Sequence, residues 1–392
     1  MRNSILYMLG TICYAILQWI ILVYISNIYG ASYAGHYTLY LSFLTPVVIL
    51  LNGGLRVYLS SDVLKENSDE SYLILRYCFL VLYFVLLLPF LYFSENPSAF
   101  AFCYFLKGFD SLSDLEYGAW NRSKLIKNYF SSQLLRMVSF VSFLYFLIYF
   151  DLNDFYYFSP LSLLAVYFFY DRRNSSLTFL SRNVDIIKIR LLLSKSYKIG
   201  VSALLAALSV TVTRTLINYY IGAEGVAEFV YITYFYNVAS IAVLAISQIS
   251  IPIFSESINI FKTKHFKGGL FFISVFSIFY LLFVLIMSNI FISTFYDVSF
   301  YYELNVRCYV GFSGMFLFLG VFINVILIAR KKVKELFRIN LILFVFNLFA
   351  SWTLISINGI LGAYESFLIN AFTLLMLNAF FVIKSERQHI FS

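Results

Sequence analysis

The stretch FAFCYFLKGFDSLSDLEYGAW begins as a membrane-like apolar run, yet it carries Lys107, Asp110 and Asp114 at a spacing of i, i+3, i+7. On a helix this spacing brings all three side chains to one face. Four more basic residues, Arg56, Arg136, Arg214 and Arg307, also lie inside long apolar runs. A charge at the centre of a membrane helix costs roughly 2.5–3.5 kcal/mol on insertion scales, so each must meet a cavity, a partner or an interface. The five cations are therefore candidate substrate-binding groups. Asp110 and Asp114 are candidate proton- or sodium-responsive carboxylates, tuned by burial and by Lys107.

The competing reading is structural. A Lys–Asp pair can simply hold helices together, and Arg56, Arg136 and Arg307 lie near enough to helix ends to snorkel toward water. Arg214 is about 10 Å inside its helix, seven residues from Ile221 at 1.5 Å each. Lys107 is close to the middle of its own. Glu116 falls off the charged stripe and ranks lower.

Other chemistries are not visible. There is no Gly-x-x-x-x-Gly-Lys-Ser/Thr loop for ATP, and His36, His265 and His389 are scattered without ligand spacing, so neither a metal nor another cofactor is expected. No nucleophile stands beside a positioned base. The chain reads as something other than an enzyme.

The elements that must hold these charges follow from composition. With 61% apolar and 12% charged residues, 45 Phe and 33 Tyr among 392 residues, the chain exceeds what a water-soluble core could bury. A crossing helix needs about 20 mostly apolar residues. About twelve such segments can be placed, at 5–26, 37–60, 72–93, 97–119, 130–150, 155–171, 199–221, 228–253, 269–292, 305–329, 339–357 and 360–383. The expectation is an all-α polytopic membrane protein. The first segment has no small-x-small cleavage site and reads as a retained helix. Cys13, Cys78, Cys103 and Cys308 all lie in apolar segments and read as small core residues.

Of the 28 Lys and Arg residues, the five named above lie well inside predicted helices, and the remaining 23, with Arg76 in the first turn of the segment at 72–93 counted among them, all fall on the side of the amino terminus. That asymmetry predicts cytoplasmic termini and an inner-membrane setting. It also accounts for the net charge of +8 without nucleic acid. The outer connections are short, which argues against an enzyme with an external substrate loop. On the cytoplasmic side, residues 172–198 mix basic and apolar residues, as an amphipathic helix on the anionic membrane surface would.

An internal repeat organises the segments. NIYGASYAGHY, from Asn27, returns as YIGAEGVAEF, from Tyr220, with Gly30 on Gly222 at a spacing of 192. NRSKLIKNYFSSQLL, from Asn121, matches ARKKVKELFRINLIL, from Ala329, at a spacing of 208. Each half has an even number of helices, so the repeats run parallel. The predicted organisation is a six-helix bundle at 1–171, a linker at 172–198 and a second bundle at 199–392, with a central cleft.

NIYGASYAGHYTLYLSFLTPVVILLNGGLRVYL and the block from Ala329 to Phe372 resemble the bacterial polysaccharide-transporter family, the Wzx-type O-antigen flippases, within a superfamily shared with the MATE multidrug exporters. The resemblance implies a MATE-like fold and a flippase that moves an undecaprenyl-diphosphate-linked oligosaccharide from the cytoplasmic to the outer leaflet. It implies that a cationic cleft holds the diphosphate, since guanidinium groups bind phosphate in bidentate fashion. Membrane lipids and a coupling ion, H+ or Na+, are the other expected partners; whether polysaccharide polymerase machinery joins them stays open. A MATE-type multidrug or metabolite antiporter is the alternative.

Overall fold

In hydrocarbon a backbone satisfies its own polar groups only as a helix or a closed barrel. Apolar runs of this length take the first solution. The computed structural model describes residues 2–61, 68–177, 186–257, 259–296, 300–330 and 332–391, and among them it contains helices and turns but no strand.

The first half comprises α1 (Arg2–Asn52), α2 (Leu55–Ser61), α3 (Asp69–Leu87), the single turn α4 (Phe90–Phe93), α5 (Pro97–Arg122), α6 (Ile126–Tyr149) and the short α7 (Leu161–Val166). The second comprises α8 (Ile186–Tyr220), α9 (Ala223–Glu256), α10 (Lys264–Phe295), α11 (Leu304–Ala329), α12 (Val333–Asn358) and α13 (Ile360–Phe391). Among the described residues, nine helices are long and apolar enough to cross a membrane, and one of them, Ile5–Asn52, has 48 residues. That is about 72 Å of helix, enough for two crossings of a hydrocarbon layer about 30 Å thick. The chain is a multi-pass membrane protein.

All twelve predicted segments fall on helical backbone, with instructive departures. The first and second are joined through α1, which bends at Gly30 (φ 85°, ψ 173°). Gly222, just before α9, has nearly the same conformation (φ 103°, ψ 176°). Only glycine visits this region readily, so the two matched glycines make the same corner in both repeats. The second predicted segment breaks at Gly53 and Gly54, both with positive φ, and restarts as α2. The sixth is three pieces: a 3-10 turn at Asn153–Phe158, α7, and a π-helical turn at Tyr167–Asp171.

Two compact units emerge: residues 1–21 with 36–208, and residues 22–35 with 209–392. In the first, α5 packs on α2, α3, α6 and α7, so the most polar helix is also the central one. In the second, α11 packs on α9, α10 and α13, with α12 against α13. Part of the predicted linker, 178–185, lies outside the described residues. From Ile186 onward the linker is the start of α8, with Leu192 buried in a cluster with Leu55, Leu59, Tyr72 and Leu115, and Ile187 and Leu191 exposed.

Candidate functional site

The site is assembled around the NGGLR turn. Asn52 ends α1, Gly53 and Gly54 interrupt the helix with positive φ, and Arg56 enters the first turn of α2. There its backbone lies directly against Gly118 of α5: a Cβ on Gly118 would come within 2.8 Å of the Arg56 carbonyl oxygen. Close approach of α2 to α5 therefore depends on glycine at that position.

From this root the Arg56 guanidinium reaches Asp114, Nη1 to Oδ1 at 3.1 Å, and donates from Nη2 to the Tyr7 hydroxyl at 3.3 Å. The other oxygen of Asp114 accepts from Arg76 of α3 at 3.3 Å. Arg76 is buried and also donates to the Asn52 side chain and the Ser111 carbonyl. One turn along α5, Asp110 accepts from Arg136 of α6 at 2.9 Å and from the Tyr14 hydroxyl at 3.0 Å. Arg136 reaches Asp171 at 3.2 Å as well, with Ser113 bridging the two. The Tyr117 ring lies between the arginines, 5.4 Å from the Arg56 Cζ and 5.6 Å from that of Arg136. Such contacts add cation–π attraction to the ion pairs.

Three arginines and three aspartates thus neutralise one another inside the first unit. Lys107 is the remaining cation of the stripe. It is half-buried, and among the described residues no hydrogen bond or ion pair reaches it. Asp110 and Cys103 lie within its electrostatic reach. Toward the end of α5, Glu116 is buried and held by Ser175 at 2.5 Å and by Arg172 at 3.6 Å.

The predicted stripe of Lys107, Asp110 and Asp114 does lie on one face of α5, and the structure brings Arg56 and Arg136 to it. Arg136 does not snorkel: its side chain is 1% exposed and turned into the bundle. Arg214 and Arg307 belong to the second unit. Arg214 is half-buried on α8, in electrostatic reach of Tyr234, and Arg307 donates to the Leu285 carbonyl of α10. Buried near Arg214 in sequence is a polar ladder, in which Asn347 donates to the Ser209 carbonyl at 2.8 Å and Thr213 meets Ser351 at 3.2 Å.

Sequence reasoning missed Arg76 and Asp171. A helix beginning at residue 72 puts Arg76 in its first turn; the Ser68 cap, which accepts from the Ser71 amide, starts the helix at Asp69. A Ser-Asp-Glu start is a legible helix signal, and it would have put Arg76 about 10 Å inside. Asp171 sits at the end of the π-helical turn, whose register no periodicity predicts.

No family model matches the sequence, and no curated protein does. Solved structures do match. An inward-facing multidrug resistance MATE family transporter of the MOP superfamily aligns with a TM-score of 0.78 at 12% identity, over 98% of this chain and 95% of that one. This is the MATE fold. A Vibrio cholerae MATE transporter aligns at 0.68 and 14% identity, over 100% and 97% of the chains. A MOP superfamily transporter from Pyrococcus furiosus, for which reverse polarity of the binding pocket suggests a different function, aligns at 0.71 and 12% identity, over 99% and 95%. At such identities the likeness concerns the fold.

Proposed function

We propose that the chain is a transporter that moves an undecaprenyl-diphosphate-linked oligosaccharide from the cytoplasmic to the outer leaflet by alternating access. The observation that carries this reading is the charge balance inside the first unit. Arg56, Arg76, Arg136 and Lys107 stand against Asp110, Asp114 and Asp171, which leaves one positive charge, and Lys107 is the cation without a partner among the described residues. An unpaired, half-buried cation attracts a phosphate and repels a cationic drug. In this reading Asp110 and Asp114 are the carboxylates that respond to the coupling ion. The halves 1–171 and 199–392, joined by 172–198, sit in a bacterial inner membrane with both termini cytoplasmic, as the basic-residue asymmetry supports.

The MATE-type antiporter is the second reading, favoured by the likeness to a multidrug resistance transporter. One assay separates the two. Proteoliposomes are loaded in parallel with a fluorescent undecaprenyl-diphosphate-linked oligosaccharide and with a cationic dye. Protein-dependent movement of the lipid between leaflets, abolished by Lys107→Ala, is the expected result. Ion-driven dye export with no lipid movement would replace the flippase reading by the antiporter.

A further inference from the structure

The two arginines on Asp114 are not equivalent. Arg76 is 3% exposed and fixed by Asn52 and the Ser111 carbonyl in addition to Asp114. Arg56 is 29% exposed, its carboxylate partner 23%, and its other contacts are the phenols of Tyr7 and Tyr129 and the face of Tyr117. None of these neutralises a guanidinium. The Arg56–Asp114 pair is thus the accessible half of a three-membered cluster, and the Arg76–Asp114 pair is the sealed half.

We propose that Arg56 is the core of a phosphate subsite in which Asp114 is the resident counter-ion, displaced by the incoming phosphate and kept compensated by Arg76 while it is displaced. The proposal rests on the anionic-cargo reading above. Its physical basis is exchange between anions. A diphosphate offers more charge and more acceptor oxygens to the guanidinium fork than one carboxylate does. A buried carboxylate stripped of its only partner would resist the exchange. Asp114 is not stripped, because its Oδ2 stays on Arg76. Gly118 holds the Arg56 backbone against α5, so the guanidinium can swing between carboxylate and phosphate from a fixed root. The Tyr117 face supports the guanidinium plane and leaves its N–H edge available.

The test uses the full chain in nanodiscs, with inorganic pyrophosphate as the probe and calorimetry as the readout. The wild type should bind, Asp114→Asn should bind at least tenfold more tightly, and Arg56→Gln should bind at least tenfold more weakly at an unchanged melting temperature. Arg56→Gln keeps the Asp114–Arg76 pair and is the variant that remains interpretable if Asp114→Asn fails to fold. Equal or weaker binding by folded Asp114→Asn, or wild-type binding by Arg56→Gln, overturns the proposal. If the wild type binds and neither substitution matters, the counter-ion inference falls while the anionic-cargo reading stands. If the wild type does not bind pyrophosphate and exports a cationic dye, both fall. Undecaprenyl diphosphate added to the same nanodiscs identifies the source of the phosphate. Competition assigns the subsite to a lipid-borne headgroup, and lack of it to a free anion; both keep Asp114 as the counter-ion.

Discussion

Arg122 and Arg330, which align with each other in the two repeats, each close a buried ion pair at the end of the matched helix: Arg122 with Asp69 and Arg330 with Glu386, both at 2.7 Å. The partners come from different elements, α3 in one case and α13 in the other. The repeat therefore preserves the need for a clasp and not the identity of its carboxylate. Arg330 is the more committed of the two, since it also meets the second Glu386 oxygen at 3.2 Å and the Ser257 carbonyl at 2.8 Å. Removing one partner of a buried pair typically costs about 3–5 kcal/mol. Thermal denaturation in detergent should show both Arg122→Ala and Arg330→Ala destabilised, Arg330→Ala the more. The opposite order would mean that the additional bonds of Arg330 contribute little.

Gly30 and Gly222 allow a cleaner backbone test. At both, a Cβ would meet nothing within 4 Å, so the cost of Ala is conformational and not steric. Alanine in this glycine-only region should cost about 1–3 kcal/mol, and nearly the same at the two positions because their dihedrals agree. Gly35→Ala should cost more, since its Cβ would collide with the Ala223 backbone. Melting temperatures of the three variants decide it: a tolerated Gly35→Ala alongside two damaged corners would contradict the packing argument.

Much of this was legible in the sequence, for identifiable reasons. Hydropathy places helices because a membrane allows few alternatives, and the spacing of Lys107, Asp110 and Asp114 places them on one face because 3.6 residues per turn is a property of the chain itself. The repeat was legible because Gly30 and Gly222 are required by a backbone conformation. The partners were not. That Asp114 is shared by Arg56 and Arg76, or that Arg136 spans Asp110 and Asp171, depends on which helix faces which. Helical periodicity carries no such information. The broken sixth segment was hidden for a similar reason: its residues are as apolar as a continuous helix would be, and the 3-10, α and π turns appear only when it packs.

Gly118 links packing to the site. Because the Arg56 backbone occupies the space a Cβ would need, Gly118→Ala should push α2 away from α5 and move the Arg56 guanidinium from Asp114 and Tyr117. Pyrophosphate binding should weaken by about tenfold, equivalent to about 1.4 kcal/mol, together with a loss of thermal stability. Gly108→Ala, also on α5, would press on the Phe84 ring instead and leave Arg56 alone. Loss of binding in Gly118→Ala but not in Gly108→Ala is the expected pattern.

Lys107 distinguishes a functional charge from a structural one more sharply than any arginine in the network. Arg136→Ala must destabilise whatever its role, because it strands Asp110 and Asp171 in the interior. Lys107 has no such dependants: no ion pair or hydrogen bond among the described residues is lost with it, and its half-buried ammonium is itself a cost to the fold. Lys107→Ala should therefore melt at the wild-type temperature or above it, while transport of the anionic lipid falls to background. Lys107→Arg should retain the charge and part of the activity, with less than full recovery because the planar fork replaces a compact ammonium. A Lys107→Ala protein that unfolds several degrees early would return the residue to a structural role. A stable one that still transports would remove the unpaired cation from the mechanism, and with it the argument that the cargo is an anion.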